Sequence, residues 1–271
     1  MKPVFFLLLL LLSPSGFGES VAFTLHDGYL IVAKCSVGDL RDLVALVDTG
    51  VSETTLDLRL VKRLGLPTRA DTATFGTHDG GVQAISIPQI AFGPVHAEKL
   101  AGIALDLSPL THRLGIRPDV LIGIDLLRRR GLVIDYKART IIFDNPPKLA
   151  HSAPLVPGTS FAMVEAQVEG KSLRLQMDTG FNAILVYGNR LPLLVQAGMY
   201  AHSGTFERDL NARMGSVSHL TIGDWKGKLV TVYETDDEPR GEVEFDGLFG
   251  PISISIHRLT LDFEDGMMSW D

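Results

Sequence analysis

Leu46-Val47-Asp48-Thr49-Gly50 and Gln176-Met177-Asp178-Thr179-Gly180 place the same acidic tripeptide twice in one chain, each time after an apolar run. The 130-residue offset between the two aspartates also carries Phe92-Gly93 onto Ile222-Gly223. Farther along, Val120-Leu121-Ile122-Gly123 meets Gly247-Leu248-Phe249-Gly250 at an offset of 127, which implies a three-residue deletion in a loop. The tails then keep step: 12 residues separate Gly123 from Asp135 and Gly250 from Asp262, and 21 separate Gly123 from Asp144 and Gly250 from Asp271. Self-similarity at this spacing reads as a duplicated unit.

Between the copies, 145–158 holds Pro146, Pro147, Pro154 and Pro157, which cannot donate to a strand ladder, so the stretch reads as an extended linker. The first lobe is placed at 21–147 and the second at 148–271. Residues 1–20 read as a signal peptide. Lys2 precedes a nine-residue apolar run from Val4 to Leu12, with small residues following and a cut expected between Gly16 and Ser20. A membrane span needs about 20 apolar residues, so the expectation is export to the periplasm or beyond, with no stable span after cleavage.

The formal charge is -7 and stays there when Lys2 and Glu19 are removed, so nothing attracts a phosphate backbone and nucleic acid is excluded as a partner. Cys35 is the only cysteine, which rules out an internal disulfide framework and reads as a buried structural thiol. The eight histidines (His26, His78, His96, His112, His151, His202, His219 and His257) are scattered without His-Glu-x-x-His spacing, so neither a metal nor another cofactor is expected.

Each copy is mostly short, β-branched, apolar runs separated by turn residues. In the first these are Tyr29 to Val37, Leu43 to Val47, Ala84 to Ile90, Leu132 to Tyr136 and Thr140 to Phe143. In the second they are Phe161 to Val168, Leu173 to Met177, Val217 to Ile222, Leu229 to Tyr233 and Leu259 to Phe263. Helices are few and brief: Asp57 caps a turn carrying Leu60, Val61 and Leu64 with Gly65 as its stop, and Asp125 and Gly131 bracket Leu126 to Arg130. The Arg128-Arg129-Arg130 run reads as the solvated end of that second helix.

An aspartate at the end of a buried strand, followed by Thr and Gly, is an acid held by its own loop. Gly permits the tight turn, and the Thr hydroxyl can donate to a main-chain carbonyl. If two such lobes pack about a pseudo-twofold axis, Asp48 and Asp178 meet and retain one proton between them, leaving one base and one acid. Such a pair can activate a shared water against an amide carbonyl.

At these residues both halves resemble the retropepsin-like and pepsin-like aspartic protease family. The resemblance implies an all-β, two-lobed pepsin-like (acid protease) fold built from tandem retropepsin-like β-barrel units. It implies catalytic Asp48 and Asp178, with loop support from Thr49, Gly50, Thr179 and Gly180 and from the apolar-apolar-Gly segments ending in Ile122-Gly123 and Phe249-Gly250. It further implies a polypeptide substrate, a substrate-covering flap at Thr77, His78, Asp79, Gly80 and Gly81, and a monomer that acts as an intramolecular pseudo-dimer. The flap's counterpart, Thr205 to Met214, is charged and has no Gly pair, so a single flap is expected. Two features depart from the family pattern: Val51 and Phe181 follow the Gly where the pepsin-like branch has a hydroxyl residue, and Pro251 follows Gly250. They motivate an alternative, a non-catalytic peptide- or partner-binding protein whose acid pair is out of alignment.

Overall fold

The computed structural model describes residues 20–75, 78–144, 146–188, 190–191, 194–204, 209–237 and 245–271. The expected leader lies outside these residues except for Ser20, which opens the first strand. In the first lobe the order is β1 (Ser20–Ala22), β2 (Thr24–His26), β3 (Leu30–Val37), β4 (Leu40–Val47), β5 (Thr55–Asp57), α1 (Leu58–Leu64), β6 (Arg69–Phe75), β7 (His78–Phe92), β8 (Val95–Leu105), α2 (Ser108–Leu114), β9 (Val120–Ile122), α3 (Ile124–Leu127), β10 (Leu132–Asp135) and β11 (Thr140–Phe143). The second runs β12 (His151–Pro154), β13 (Met163–Val168), β14 (Lys171–Met177), β15 (Ile184–Tyr187), β16 (Leu194–Gly204), β17 (Asp209–Ile222), β18 (Trp225–Thr235), β19 (Gly247–Phe249), a 3-10 turn (Pro251–Ile254), β20 (Arg258–Asp262) and β21 (Met267–Trp270).

The fold is all-β and retropepsin-like. The first sheet has the order β2-β3-β4-β9-β5-β8-β7-β6 and closes on itself through β3–β7. The second has the order β13-β14-β19-β15-β18-β17-β16 and closes through β13–β17. Apart from β2 the orders correspond strand for strand. Closure follows from the patterning: β3 alternates buried and half-buried or exposed residues along its length, so one face lines a barrel core and the other does not.

A third sheet, β1-β11-β10-β20-β21-β12, joins the lobes. Its centre is the antiparallel pair β10–β20, in the register Leu132↔Leu261, Val133↔Thr260, Ile134↔Leu259 and Asp135↔Arg258. Leu132, Ile134, Leu259 and Leu261 are all fully buried, so the two halves share one continuous apolar core across this seam. A shared core makes relative motion of the lobes costly.

Several expectations need correction. Part of the proline-rich linker is not loose: His151–Pro154 forms β12, paired with β21. Its prolines are tolerated because β12 is an edge strand, where one side of the backbone needs no partner. The helix expected over Leu126 to Arg130 is instead α3, which starts at Ile124 with Gly123 as its N-cap, so Asp125 lies inside the first turn, where its carboxylate accepts from Thr54 as well as from Leu126 N–H. Helix α2 had no periodic apolar signal and was not foreseen. The second lobe pairs β16 with β17 out to Gly204↔Asp209, at the position that answers β6–β7. By contrast α1 is capped at Asp57, whose carboxylate accepts from Arg59 N–H at 2.9 Å, and stops at left-handed Gly65.

Gly93 and Gly223 turn the β7–β8 and β17–β18 hairpins at φ +58° and +56°. Both turns press on the first strand of their lobe: a Cβ on Gly93 would run into a Val21 methyl, and one on Gly223 would overlap the Ser152 carbonyl. A methyl can rotate away and a backbone carbonyl cannot. Gly223→Ala is therefore expected to cost about 2–4 kcal/mol and Gly93→Ala about 1–2 kcal/mol, compared by urea unfolding midpoints.

Candidate active site

Each Asp-Thr-Gly loop leaves the end of a strand that runs parallel to the apolar-apolar-Gly strand of its own lobe. In the first lobe Val47 pairs with Ile122, and Asp48 N–H donates to the Ile122 carbonyl at 3.0 Å. In the second Met177 pairs with Phe249, and Asp178 N–H donates to the Phe249 carbonyl at 3.0 Å. Sequence reading missed a second clamp on these strands. Asp119 accepts from Val44 N–H at 2.9 Å, and Asp246 accepts from Arg174 N–H at 2.8 Å. Their common 127-residue offset was the available signal.

The loops are locked to each other. Thr49 Oγ1 donates to the Met177 carbonyl at 2.9 Å and accepts from Thr179 N–H at 3.0 Å. Thr179 Oγ1 donates to the Val47 carbonyl at 3.0 Å and accepts from Thr49 N–H at 3.1 Å. The sequence pointed to a hydroxyl-to-carbonyl bond; the structure shows that each one crosses between lobes.

Around this lock the carboxyls converge. Gly50 N–H donates to Asp48 Oδ1 at 2.8 Å and Gly180 N–H to Asp178 Oδ1 at 2.7 Å, and each carboxyl lies against the glycine of the other loop. The glycines are sterically required: a Cβ on Gly50 would lie 2.5 Å from Asp178 Cγ, and one on Gly180 2.8 Å from Asp48 Oδ2. Burial pushes the pKa of Asp48 up, against the opposing help of the Gly50 N–H. Burial pushes the pKa of Asp178 up as well, reinforced by the charge of Asp48. Two acids so close cannot both ionise at ordinary carboxylate pH.

The supporting segments differ. In the first lobe Asp125 accepts from Thr54 N–H at 3.0 Å and Thr54 Oγ1 at 2.7 Å, and that hydroxyl accepts in turn from Gly123 N–H at 3.2 Å. In the second, Pro251 opens a 3-10 turn and Gly250 N–H donates to the Ala183 carbonyl at 2.8 Å. Neither Pro251 nor Phe181 displaces the acid. Phe181 N–H donates to the Asp178 carbonyl at 3.3 Å, as Val51 N–H does to Asp48 at 3.4 Å. Phe181 instead packs against the buried cluster that contains Met163, Leu185, Tyr187 and Phe245, whereas Val51 packs against the cluster of Leu46, Leu107, Leu110 and Leu121.

In the expected flap, Asp79, Gly80 and Gly81 lie on β7 opposite Thr74, Ala73 and Thr72, and Asp79 accepts from Thr74 Oγ1 at 2.8 Å. His78 pairs with Phe75; Thr77 lies outside the described residues. Cys35 is buried away from the pair, its thiol pushed up to about 12 chiefly by burial. Among the described residues no cluster of three or more His, Cys, Asp or Glu gathers to hold a metal, and no helix is long and apolar enough to cross a membrane.

Residues 33–126, which carry Asp48, the β6–β7 hairpin and Ile122-Gly123, match the model of an aspartyl protease family. The first lobe is aspartyl-protease-like. No curated protein matches the chain. The match ends before the second lobe, whose kinship to the aspartyl-protease-like first lobe rests on its strand order and on the bonds it repeats around Asp178.

Two measurements probe this geometry. Thr179→Val keeps the shape but strands the Thr49 N–H and the Val47 carbonyl, and is expected to cost about 2–4 kcal/mol in denaturant unfolding, whereas Thr179→Ser costs less than about half of that. The raised acid pair binds more protons folded than unfolded above the ordinary carboxylate pKa, so its effect is to lower stability as pH rises through that window. Asp178→Asn removes the conflict and should raise the melting temperature at about pH 7, with the gain vanishing near about pH 3.

Proposed function

We propose that this chain is an exported, single-chain aspartic endopeptidase that hydrolyses peptide bonds with a water activated between Asp48 and Asp178. The observation that carries the reading is the convergence of the two carboxyls, each held by its own Gly N–H and set against the glycine of the other loop. An aspartyl protease match over the lobe that contains Asp48 supports the same chemistry and a polypeptide substrate.

The pair works with one proton. Its ionised carboxylate takes a proton from water as the oxygen attacks the amide carbon, and the protonated carboxyl gives its proton to the carbonyl oxygen, yielding a neutral tetrahedral diol. Collapse of the diol breaks the C–N bond. The amine nitrogen takes the proton of the protonated carboxyl while a diol hydroxyl gives its own to the carboxylate, so a carboxylic acid and an amine leave and the pair again holds one proton. Neither a metal nor a covalent enzyme intermediate enters these steps.

Apolar residues flank the loops, aliphatic beside Val51 and aromatic beside Phe181, which favours substrates with apolar side chains on both sides of the cut bond. The hairpin β6–β7, which carries Asp79, Gly80 and Gly81, is the segment we assign as the substrate-covering flap. Export rests on the sequence of residues 1–20. Against the alternative of a binding protein with a misaligned pair stand the Gly180 N–H and Phe249 carbonyl bonds, which hold Asp178 as those of Gly50 and Ile122 hold Asp48.

The test is digestion of an unfolded peptide library with and without a statine inhibitor. Cleavage blocked by statine is expected. Asp48→Asn and Asp178→Asn should each lower kcat/KM at least about 10²-fold. Because burial and the like charge raise the pKa of the second ionisation, the alkaline limb of kcat/KM should lie above the ordinary carboxylate range. Unaltered cleavage by Asp48→Asn would overturn the proposal.

A further inference from the structure

The two loops are equivalent in their Thr and Gly contacts but not in what holds the Gly carbonyl. Position 176 answers position 46 at the 130-residue offset, and the residues there are Gln and Leu. Gln176 is 2 % exposed, on the strand that delivers Asp178, between Met163 and Leu248 on the neighbouring strands. Its amide Nε2 crosses to the other lobe and donates to the Gly50 carbonyl at 3.0 Å. Leu46 has no donor, so it cannot give the Gly180 carbonyl the same bond.

Gly50 is the residue that touches both acids. Its N–H binds Asp48, and its Cα faces the Asp178 carboxyl so closely that no side chain fits. With its carbonyl also tied, every polar group of this residue is fixed. A glycine has the widest backbone freedom of any residue, so a tie at this point restricts more motion than the same bond would elsewhere.

We propose that Gln176 is a positioning residue for the acid pair: by holding the Gly50 carbonyl from the opposite lobe it sets the Asp48 loop against Asp178 and makes the two acids inequivalent. The proposal rests on the protease reading for its kinetic consequences but not for its structural one. A buried amide in an apolar cluster is costly unless it is bonded, so Gln176 is retained at the expense of the packing that Leu46 provides on the other side. The ionisable groups that sense this corner are Asp48, Asp178 and the Tyr136 and Tyr187 phenols, whose ionisation is pushed up first by burial and then by the charge of Asp178.

Gln176→Leu installs the residue of the other lobe and removes the tie; Gln176→Glu keeps the shape and can donate only while protonated. Two readouts are taken on the full chain: kcat and KM against pH on a cleaved peptide, and carbon NMR titration of the aspartate carboxyls. For Gln176→Leu, kcat is expected to fall roughly ten- to a hundredfold with KM within about twofold, and the two apparent carboxyl pKa values to change their separation by roughly one unit. Gln176→Glu should track the parent at the acid end and decline more steeply as its own carboxyl ionises. A Gln176→Leu protein with parental kcat and parental carboxyl titration overturns the proposal, as does a lower melting temperature with both readouts unmoved. If the parent cleaves nothing, the protease reading fails, and the carboxyl titration still decides the role of Gln176.

Discussion

Two threonine hydroxyls, exchanged between lobes, are the constraint on which the site depends. Each accepts from the N–H of the opposite threonine and donates to a carbonyl of the opposite strand, so four bonds tie two residues that are 0 % and 1 % exposed. Only a hydroxyl can both donate and accept from one atom at this spacing. The consequence reaches beyond the threonines, because Asp48 and Asp178 are each the residue before one of them. Fixing the threonines fixes the chain direction of both acids, and the carboxyls have nowhere to go but toward each other.

That arrangement opposes stability. Burial and like charge both push the acids toward their neutral forms, and the bonds from Gly50 and Gly180 N–H offset only part of this. The molecule resists the repulsion by making separation of the lobes expensive. A six-stranded sheet spans them, with fully buried leucines and isoleucine on the central pair, and its edge strands β1 and β12 are held by the glycine turns at 93 and 223. Large apolar burial at the seam is a term of several kcal/mol per side chain removed, and it opposes separation of the lobes.

The sequence made this centre legible because the centre is built from residues whose chemistry is not interchangeable. Asp, Thr and Gly recur at a fixed offset, and the glycines after Ile122 and Phe249 recur with them, since no other residue fits those spaces. What stayed hidden was decided by partners distant in sequence. Pro154 belongs to a strand only because β21 lies on one side of it and nothing on the other. Asp125 looked like a helix cap, but it lies inside the first turn, and its carboxylate also accepts from Thr54, 71 residues away. The hairpin β16–β17 lacks the Gly pair of its counterpart, and its existence is imposed by pairing with β18 rather than by its own turn residues. Gln176 was visible as a polar residue where the first repeat has Leu46, but its meaning required knowing that Gly50 of the other lobe comes within reach.

Two lobes in one chain need not stay alike, and the differences fall in a pattern. Bonds made by the Asp-Thr-Gly residues are the same on both sides to within a few tenths of an ångström. Bonds made by other side chains are not. Thr54 with Asp125 supports Gly123, whereas a main-chain carbonyl supports Gly250; Gln176 ties Gly50, whereas Leu46 leaves Gly180 untied. A symmetric site built from two copies of one shorter chain would have to place Gln or Leu on both sides, and two buried glutamines would double the desolvation cost while leaving the pair symmetric. Covalent linkage removes that restriction. One lobe can supply the polar tie and the other the apolar packing, and the acid pair between them acquires a direction that identical halves could not give it.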